Sequence, residues 1–311
     1  MGDNVTSGEL SEEDRAKLEE LDAELARFEE QRRWSEVIKT LLAKADIVVD
    51  PNGKADLLRQ AGTLYIERSS NQAEAIKCFE QLLEILPEDI EAIQHLKDMY
   101  EKRRDWASLI EVMGREADLL DPADRGLRYV EMAELATQRL RKPEICIDLW
   151  NKVLEAEPGH GEALLSLAQL YERSQQWVEL TTVLEQLVDA TVDSVELKKQ
   201  LQKLGQIYGD KVGDEEGAIR AFRRLLELEP NDRRAQDQLK RRYTTLKAWD
   251  DLEEFYAQVE KWDELIRVFE QAANKEDDTS EKLALLFRVA VSAAPILLPS
   301  TAWSVTPERI A

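Results

Sequence analysis

The chain is punctuated at a fixed interval. Prolines fall at Pro51, Pro87, Pro122, Pro158 and Pro230, separated by 36, 35, 36 and 72 residues. Where the series skips, near Val192, the segment "VDATVDS" writes a turn in polar residues instead. Tryptophans recur at twice that interval, at Trp34, Trp106, Trp177 and Trp249. Repetition in this range marks stacked supersecondary units rather than one compact globule. The chain therefore reads as an array of units of about 35 residues, of two alternating kinds.

Each unit reads as a pair of helices. In "LGQIYGDKVGDEEGAIRAFRRLLELEPND", Leu204, Ile207 and Tyr208 mark one apolar face, and Ala218, Phe222, Leu225 and Leu226 mark the next. Spacings of three and four are those of amphipathic helices. Pro230 cannot continue the second helix, and Asn231 or Asp232 can cap its successor. No segment sustains a period of two, so no strand is expected. Composition agrees, with only 12 glycines and 9 prolines in 311 residues.

This pattern closely resembles the tetratricopeptide repeat. One unit carries Leu204, Gly205 and Tyr208, then Ala218, Phe222, Leu225 and Pro230. A second carries Gly62, Tyr65, Ala75, Phe79, Leu82 and Pro87; a third carries Ala133, Ala136, Cys146, Trp150, Val153 and Pro158. The interleaved unit has Leu167, Ala168, Tyr171, Trp177, Leu180, Leu184 and Leu187. The resemblance implies an all-α, right-handed superhelical solenoid of antiparallel helix pairs, with about fifteen or sixteen helices. First helices would line its concave face. A small residue on each first helix would let the second approach, and a large residue on the second would fill the space.

Departures carry information too. The proline-ended units have one more residue between tyrosine and alanine, which lengthens the turn. Lys97 and Lys240 stand where the small residue belongs, so those pairs are expected to pack more loosely. Trp262 follows Trp249 by 13 residues, which breaks the rhythm and predicts short helices. Residues 11–290 form the expected repeat array, clearest over 54–258, after a flexible tail at 1–10. Residues 291–311 are an atypical tail, in which only Glu308 and Arg309 are charged.

The three glycines Gly209, Gly213 and Gly217 invite a phosphate-binding reading, which the neighbours refuse. Gly213 is followed by Asp214, Glu215 and Glu216, where a phosphate loop needs Gly-Lys-Ser/Thr. Those acids suit the first turn of a helix. His95, on a helix, and His160, in a turn, lack with Cys78 and Cys146 the close pairing of a zinc site, and both cysteines read as core-lining. No nucleophile elbow occurs, and 64 acids make any one carboxylate pair uninformative. The four periodic tryptophans read as core packing between units. No catalytic residue, metal or cofactor is expected.

A net charge of −22 opposes nucleic acid and anionic membranes. Two cysteines make no disulfide framework, which points to a reducing, cytoplasmic setting. One stretch reverses the charge: Arg220, Arg223, Arg224, Arg233, Arg234, Lys240, Arg241, Arg242 and Lys247. By resemblance, Arg234 and Arg241 face the groove with Asp237 between them, and Lys199 takes the matching place one unit earlier. Arginine forks suit carboxylates, so these four are the expected partner-binding residues, for a protein or peptide with an acidic segment. The lysine–asparagine clamp that some family members use on chaperone tails is broken here, since Gln202 and Gln206 stand at its first two positions. The expected function is a non-catalytic protein-interaction scaffold. The alternative is a regulatory fragment of a longer enzyme or signalling protein, truncated near residue 290.

Overall fold

The computed structural model describes residues 11–297, and the described residues are helical with short turns. The chain divides into two compact units, Met1–Leu170 and Tyr171–Ala311. The first holds α1 (Glu12–Glu30), α2 (Trp34–Ile47), α3 (Pro51–Glu67), α4 (Gln72–Ile85), α5 (Ile90–Arg103), α6 (Trp106–Leu119), α7 (Pro122–Arg139) and α8 (Pro143–Ala156). The boundary falls inside α9 (Gly161–Ser174). The second unit continues with α10 (Trp177–Ala190), α11 (Ser194–Ile207), α12 (Glu215–Leu228) and α13 (Arg233–Leu246). It ends with α14 (Trp249–Gln258), α15 (Trp262–Lys275) and α16 (Thr279–Leu297). Successive helices pack side by side within each unit. The predicted tail at 1–10 and residues 298–311 of the predicted tail at 291–311 lie outside the described residues. Residues 291–297 continue α16.

Aspartate starts most of the first helices. Asp50 accepts from the Gly53 amide at 2.7 Å, Asp89 from Ala92 at 2.8 Å and Asp121 from Ala123 at 2.9 Å. In the second unit Asp193 accepts from Glu196 at 2.8 Å and Asp232 from Ala235 at 3.1 Å. Each cap satisfies amides that the helix itself leaves orphaned and contributes about 1 kcal/mol.

The helices that precede the tryptophan-opened ones end on a shared turn. Arg104 has φ of 56°, and the next amide, Asp105, donates to the Tyr100 carbonyl at 2.9 Å. Arg32, Gln175, Lys247 and Glu260 repeat this left-handed geometry two residues before Trp34, Trp177, Trp249 and Trp262. The amides after them reach back to Phe28, Tyr171, Tyr243 and Tyr256. This is a Schellman closure built without glycine. The extra residue of the proline-ended units appears as a longer reach, from Asn71 to Tyr65 and from Asp214 to Tyr208. In the second case Tyr208–Val212 forms a single π turn, and Gly213 leaves it at φ of 82°.

Within each long pair the small residue meets the large one. A methyl built on Gly62 would lie 2.9 Å from the Phe79 ring, and one on Gly205 would lie 2.8 Å from Phe222. Phe79 and Phe222 are buried, as is Trp150 of the pair that carries Ala133. Burying each such ring stabilises the pair by about 1.5–3 kcal/mol. The Trp150 indole also donates to the Thr137 hydroxyl at 3.0 Å, so burial leaves no polar atom stranded. Where Lys97 replaces the small residue, its ammonium lies 2.7 Å from Glu116, which also receives Arg128 at 3.4 Å.

The periodic tryptophans pack at the edge of the core, and Trp34 lies against the cluster of Phe28, Val37 and Ile38. Each opens its helix half-buried, and three carry a cation on the exposed ring face. Arg68 stacks over Trp34 at 4.9 Å, Arg139 over Trp106 at 5.4 Å and Lys211 over Trp177 at 5.2 Å. In every case the cation comes from the end of the next first helix. The tryptophan is a staple between pairs, strengthened by cation–π attraction of about 0.5–1 kcal/mol.

Candidate functional site

The first helices α11 and α13 flank a groove of about 370 Å³. Gln202 and Gln206 line it from α11, and Arg234, Asp237 and Gln238 from α13. Asp232, the cap of α13, stands at one end. The floor comes from the intervening α12, whose Phe222 and Leu225 sit beneath, with Ala235 beside them. The pattern follows from the repeat: apolar positions of α12 turn inward, and the polar stripe of each neighbouring first helix is left outside.

The groove's carboxylates are already engaged, whereas its donors are open. Asp232 accepts the Arg234 amide at 2.8 Å, and Asp237 lies 3.5 Å from the Lys240 ammonium. Arg234 is exposed and has no ion-pair partner among the described residues. Gln202 and Gln206 likewise make no side-chain hydrogen bond among the described residues. What remains free is one guanidinium and two carboxamides over an apolar floor. Such a surface can take a carboxylate and the amide groups of an extended or helical peptide.

The four predicted residues are only partly brought together. Arg234 and Asp237 share the groove. Arg241 lies two turns further along α13, exposed and without an ion-pair partner among the described residues, and does not line the groove. Lys199 lies on α11 one turn before Gln202, with 69% of its side chain exposed and Glu196 at 3.3 Å. The groove residues that the charge pattern passed over are Gln202, Gln206 and Gln238. Neutral amides leave no trace in a charge count.

The nine-residue basic stretch disperses when folded. Arg223 donates to the Tyr243 hydroxyl and to Asp251 at 2.9 Å, and Arg224 to Asp189 at 2.8 Å. Lys247 reaches Glu276 at 2.8 Å and also pairs with Glu281. Arg242 is buried, with Asp210 at 2.7 Å and Glu215 at 3.1 Å. Arg233, Arg234 and Arg241 are left unpaired among the described residues of the stretch.

Arg242 also explains Gly209. A side chain there would collide with the Arg242 guanidinium, so the glycine makes room for a buried ion pair. Gly217 belongs to the cap of α12, since its amide donates to Asp214 at 2.8 Å. The π turn beside them is held by Tyr208, whose hydroxyl donates to Glu185. Burial, helped by that carboxylate, pushes the Tyr208 phenol up to about 12.

The histidines and cysteines have packing roles. His95 stacks on Phe79 at 4.8 Å, and His160 accepts the Ala163 amide at 3.2 Å, capping α9. Cys78 and Cys146 are buried free thiols. Burial pushes the Cys78 thiol up to about 11, which leaves almost no thiolate for chemistry at neutral pH. A second cavity, of about 460 Å³, lies between α12, α13 and α14, walled by Leu226, Pro230, Phe255 and Val259. Its one arginine, Arg223, is the one already tied to Tyr243 and Asp251. No helix of the described residues is long and apolar enough to cross a membrane.

Capped helix pairs with a small-on-large contact, closed by a tyrosine-anchored turn, define an all-α repeat solenoid. Tetratricopeptide-repeat family models match residues 163–198, 201–232 and 248–283, so the chain carries tetratricopeptide repeats over those stretches. The match at 248 begins at the N-cap of α14, and the match at 163 begins in the first turn of α9. Hence α14 closes the pair begun by α13 and also opens the pair completed by α15. This double duty is the physical content of the broken tryptophan rhythm, and α14 has 10 residues where its neighbours have 14. No curated protein matches the chain. Among solved structures, MamA is similar at 17% identity, covering 54% of this chain and 94% of its own, with a TM-score of 0.30. YrrB, described as a TPR protein with an unusual peptide-binding site, is 18% identical over 55% of this chain and 87% of its own, with a TM-score of 0.31. The TPR domain of P58(IPK) is 14% identical over 89% of this chain and 79% of its own, with a TM-score of 0.33.

Proposed function

We propose that this protein is a non-catalytic interaction scaffold that holds an acidic peptide or helix of a partner protein in the groove between α11 and α13. The observation that carries the reading is the state of the groove's polar groups. Its carboxylates are consumed by a helix cap and a lysine, while Arg234, Gln202 and Gln206 remain open. Arg234 fixes a partner carboxylate, and the glutamines take its backbone. Arg241 and Lys199 extend the positive edge along the two helices and steer the approach of a negative segment. Within a chain of net charge −22, a local cationic stripe also selects where such a segment docks.

The test is a titration of a fluorescent Asp/Glu-rich peptide into the intact chain and into an Arg234→Glu/Arg241→Glu variant. Both side chains are exposed, so the melting temperature should hold. Binding at low salt should weaken by roughly tenfold or more, and the salt dependence should flatten. Equal affinity and equal salt dependence in the two proteins would remove the groove as the binding site.

A further inference from the structure

The cavity between α12, α13 and α14 has a smaller counterpart in the first unit. Counting from the buried aromatic of each second helix, Leu226 and Glu227 after Phe222 correspond to Leu83 and Glu84 after Phe79. Counting from the tryptophan that opens the next second helix, Glu254, Phe255 and Gln258 after Trp249 correspond to Glu111, Val112 and Arg115 after Trp106. The counterpart, between α4, α5 and α6, measures about 200 Å³, against about 460 Å³ here.

The widening has a physical cause. In the first unit α6 runs for 14 residues to Leu119, whereas α14 stops after 10, at Gln258. The turn of helix that follows Arg115 in α6 has no equivalent in α14, where Val259 and the left-handed Glu260 bend the chain toward α15. Leu83 is 1% exposed, while Leu226 is only half-buried. Leu239 and Phe255 complete an apolar floor, with Pro230 and Val259 at its edge.

The wider cavity has also lost a cation. In the smaller site Arg115 lies 3.5 Å from Glu111. Here Gln258 stands in its place, and its amide donates to Glu254 at 3.4 Å, which leaves the carboxylate charge intact. Glu227 and Glu254 are exposed, and neither has an ion-pair partner among the described residues. Arg223, the cation of the wall, is held by the Tyr243 hydroxyl and by Asp251 at 2.9 Å. We propose that this cavity is a second docking site, for a basic segment of a partner protein. The segment inserts a leucine or larger apolar side chain onto Leu226 and Phe255, and sets lysines or arginines to either side against Glu227 and Glu254. Charge selects that occupant over the chain's own segments. Residues 1–10 hold Asp3 and Glu9 and no Lys or Arg, residues 298–311 balance Glu308 with Arg309, and a second copy brings a net charge of −22. The cavity shares no lining residue with the α11/α13 groove, so either site can fail alone.

The probe is a short fluorescein-labelled peptide in which two leucines one helical turn apart are flanked by lysines, titrated into the full chain by fluorescence anisotropy. Saturable binding is expected. Glu227→Lys/Glu254→Lys should weaken it by about tenfold at low salt, and Gln258→Arg, which restores the arginine of the smaller site, by about threefold. Replacing the peptide leucines by asparagine should abolish it. The control Glu179→Lys/Glu270→Lys makes the same change of net charge at exposed positions outside the cavity and should leave the affinity within about twofold. Every substituted side chain is exposed, so circular dichroism should show the variants folded like the parent. No saturable binding, an equal loss in the control, or binding that survives removal of the leucines would each overturn the proposal.

Discussion

At the scale of single residues, the array depends on steric pairs that a charge or hydropathy profile does not display. Gly205 is the sharpest case. Alanine is the better helix former by about 1 kcal/mol, yet its methyl would fall 2.8 Å from the Phe222 ring. Overpacking of this kind costs about 1–3 kcal/mol, so Gly205→Ala should lower stability by about 1 kcal/mol net, measured by urea unfolding. Adding Phe222→Leu should relieve the clash, leaving the double variant above the sum of the two single losses. The small-on-large logic was legible because glycine and phenylalanine recur at fixed spacing. Arg242 was not legible, because an arginine in a basic run is normally solvated. Only the fold shows it buried between Asp210 and Glu215, with Gly209 vacated to admit it.

At the scale of elements, helices were readable and turns were not. Prolines and tryptophans mark the helix starts directly: Pro51, Pro122 and Pro143 open α3, α7 and α8, and five tryptophans open α2, α6, α10, α14 and α15. The left-handed residues in the intervening turns include Arg32, Ser70, Arg104, Gln175, Lys247 and Glu260, none of which advertises positive φ. A residue with a Cβ is strained there by roughly 1–2 kcal/mol, offset by the Schellman bonds the turn makes. Arg104→Gly should therefore raise the stability of the first unit by about 0.5–1 kcal/mol after the entropy lost by glycine, read from its chemical denaturation midpoint. The tryptophans were readable as packing between units, whereas the cations stacked over three of them were not. These cations, Arg68, Arg139 and Lys211, lie 33 or 34 residues away in sequence, beyond the reach of any local pattern.

At the scale of the whole molecule, the chain is a series of stacked helix pairs. It builds ridges and grooves whose chemistry is set by what the pairs leave unsatisfied. In the second unit that accounting leaves Arg234 and two glutamines open between α11 and α13, while most of the neighbouring cations are spent on carboxylates. Hydrogen exchange on the intact chain tests the groove most directly. Adding a saturating acidic peptide should slow amide exchange in α11 and α13, with α3 to α8 unchanged. Protection confined to helices outside the second unit, or none in α11 and α13 at saturation, would contradict it.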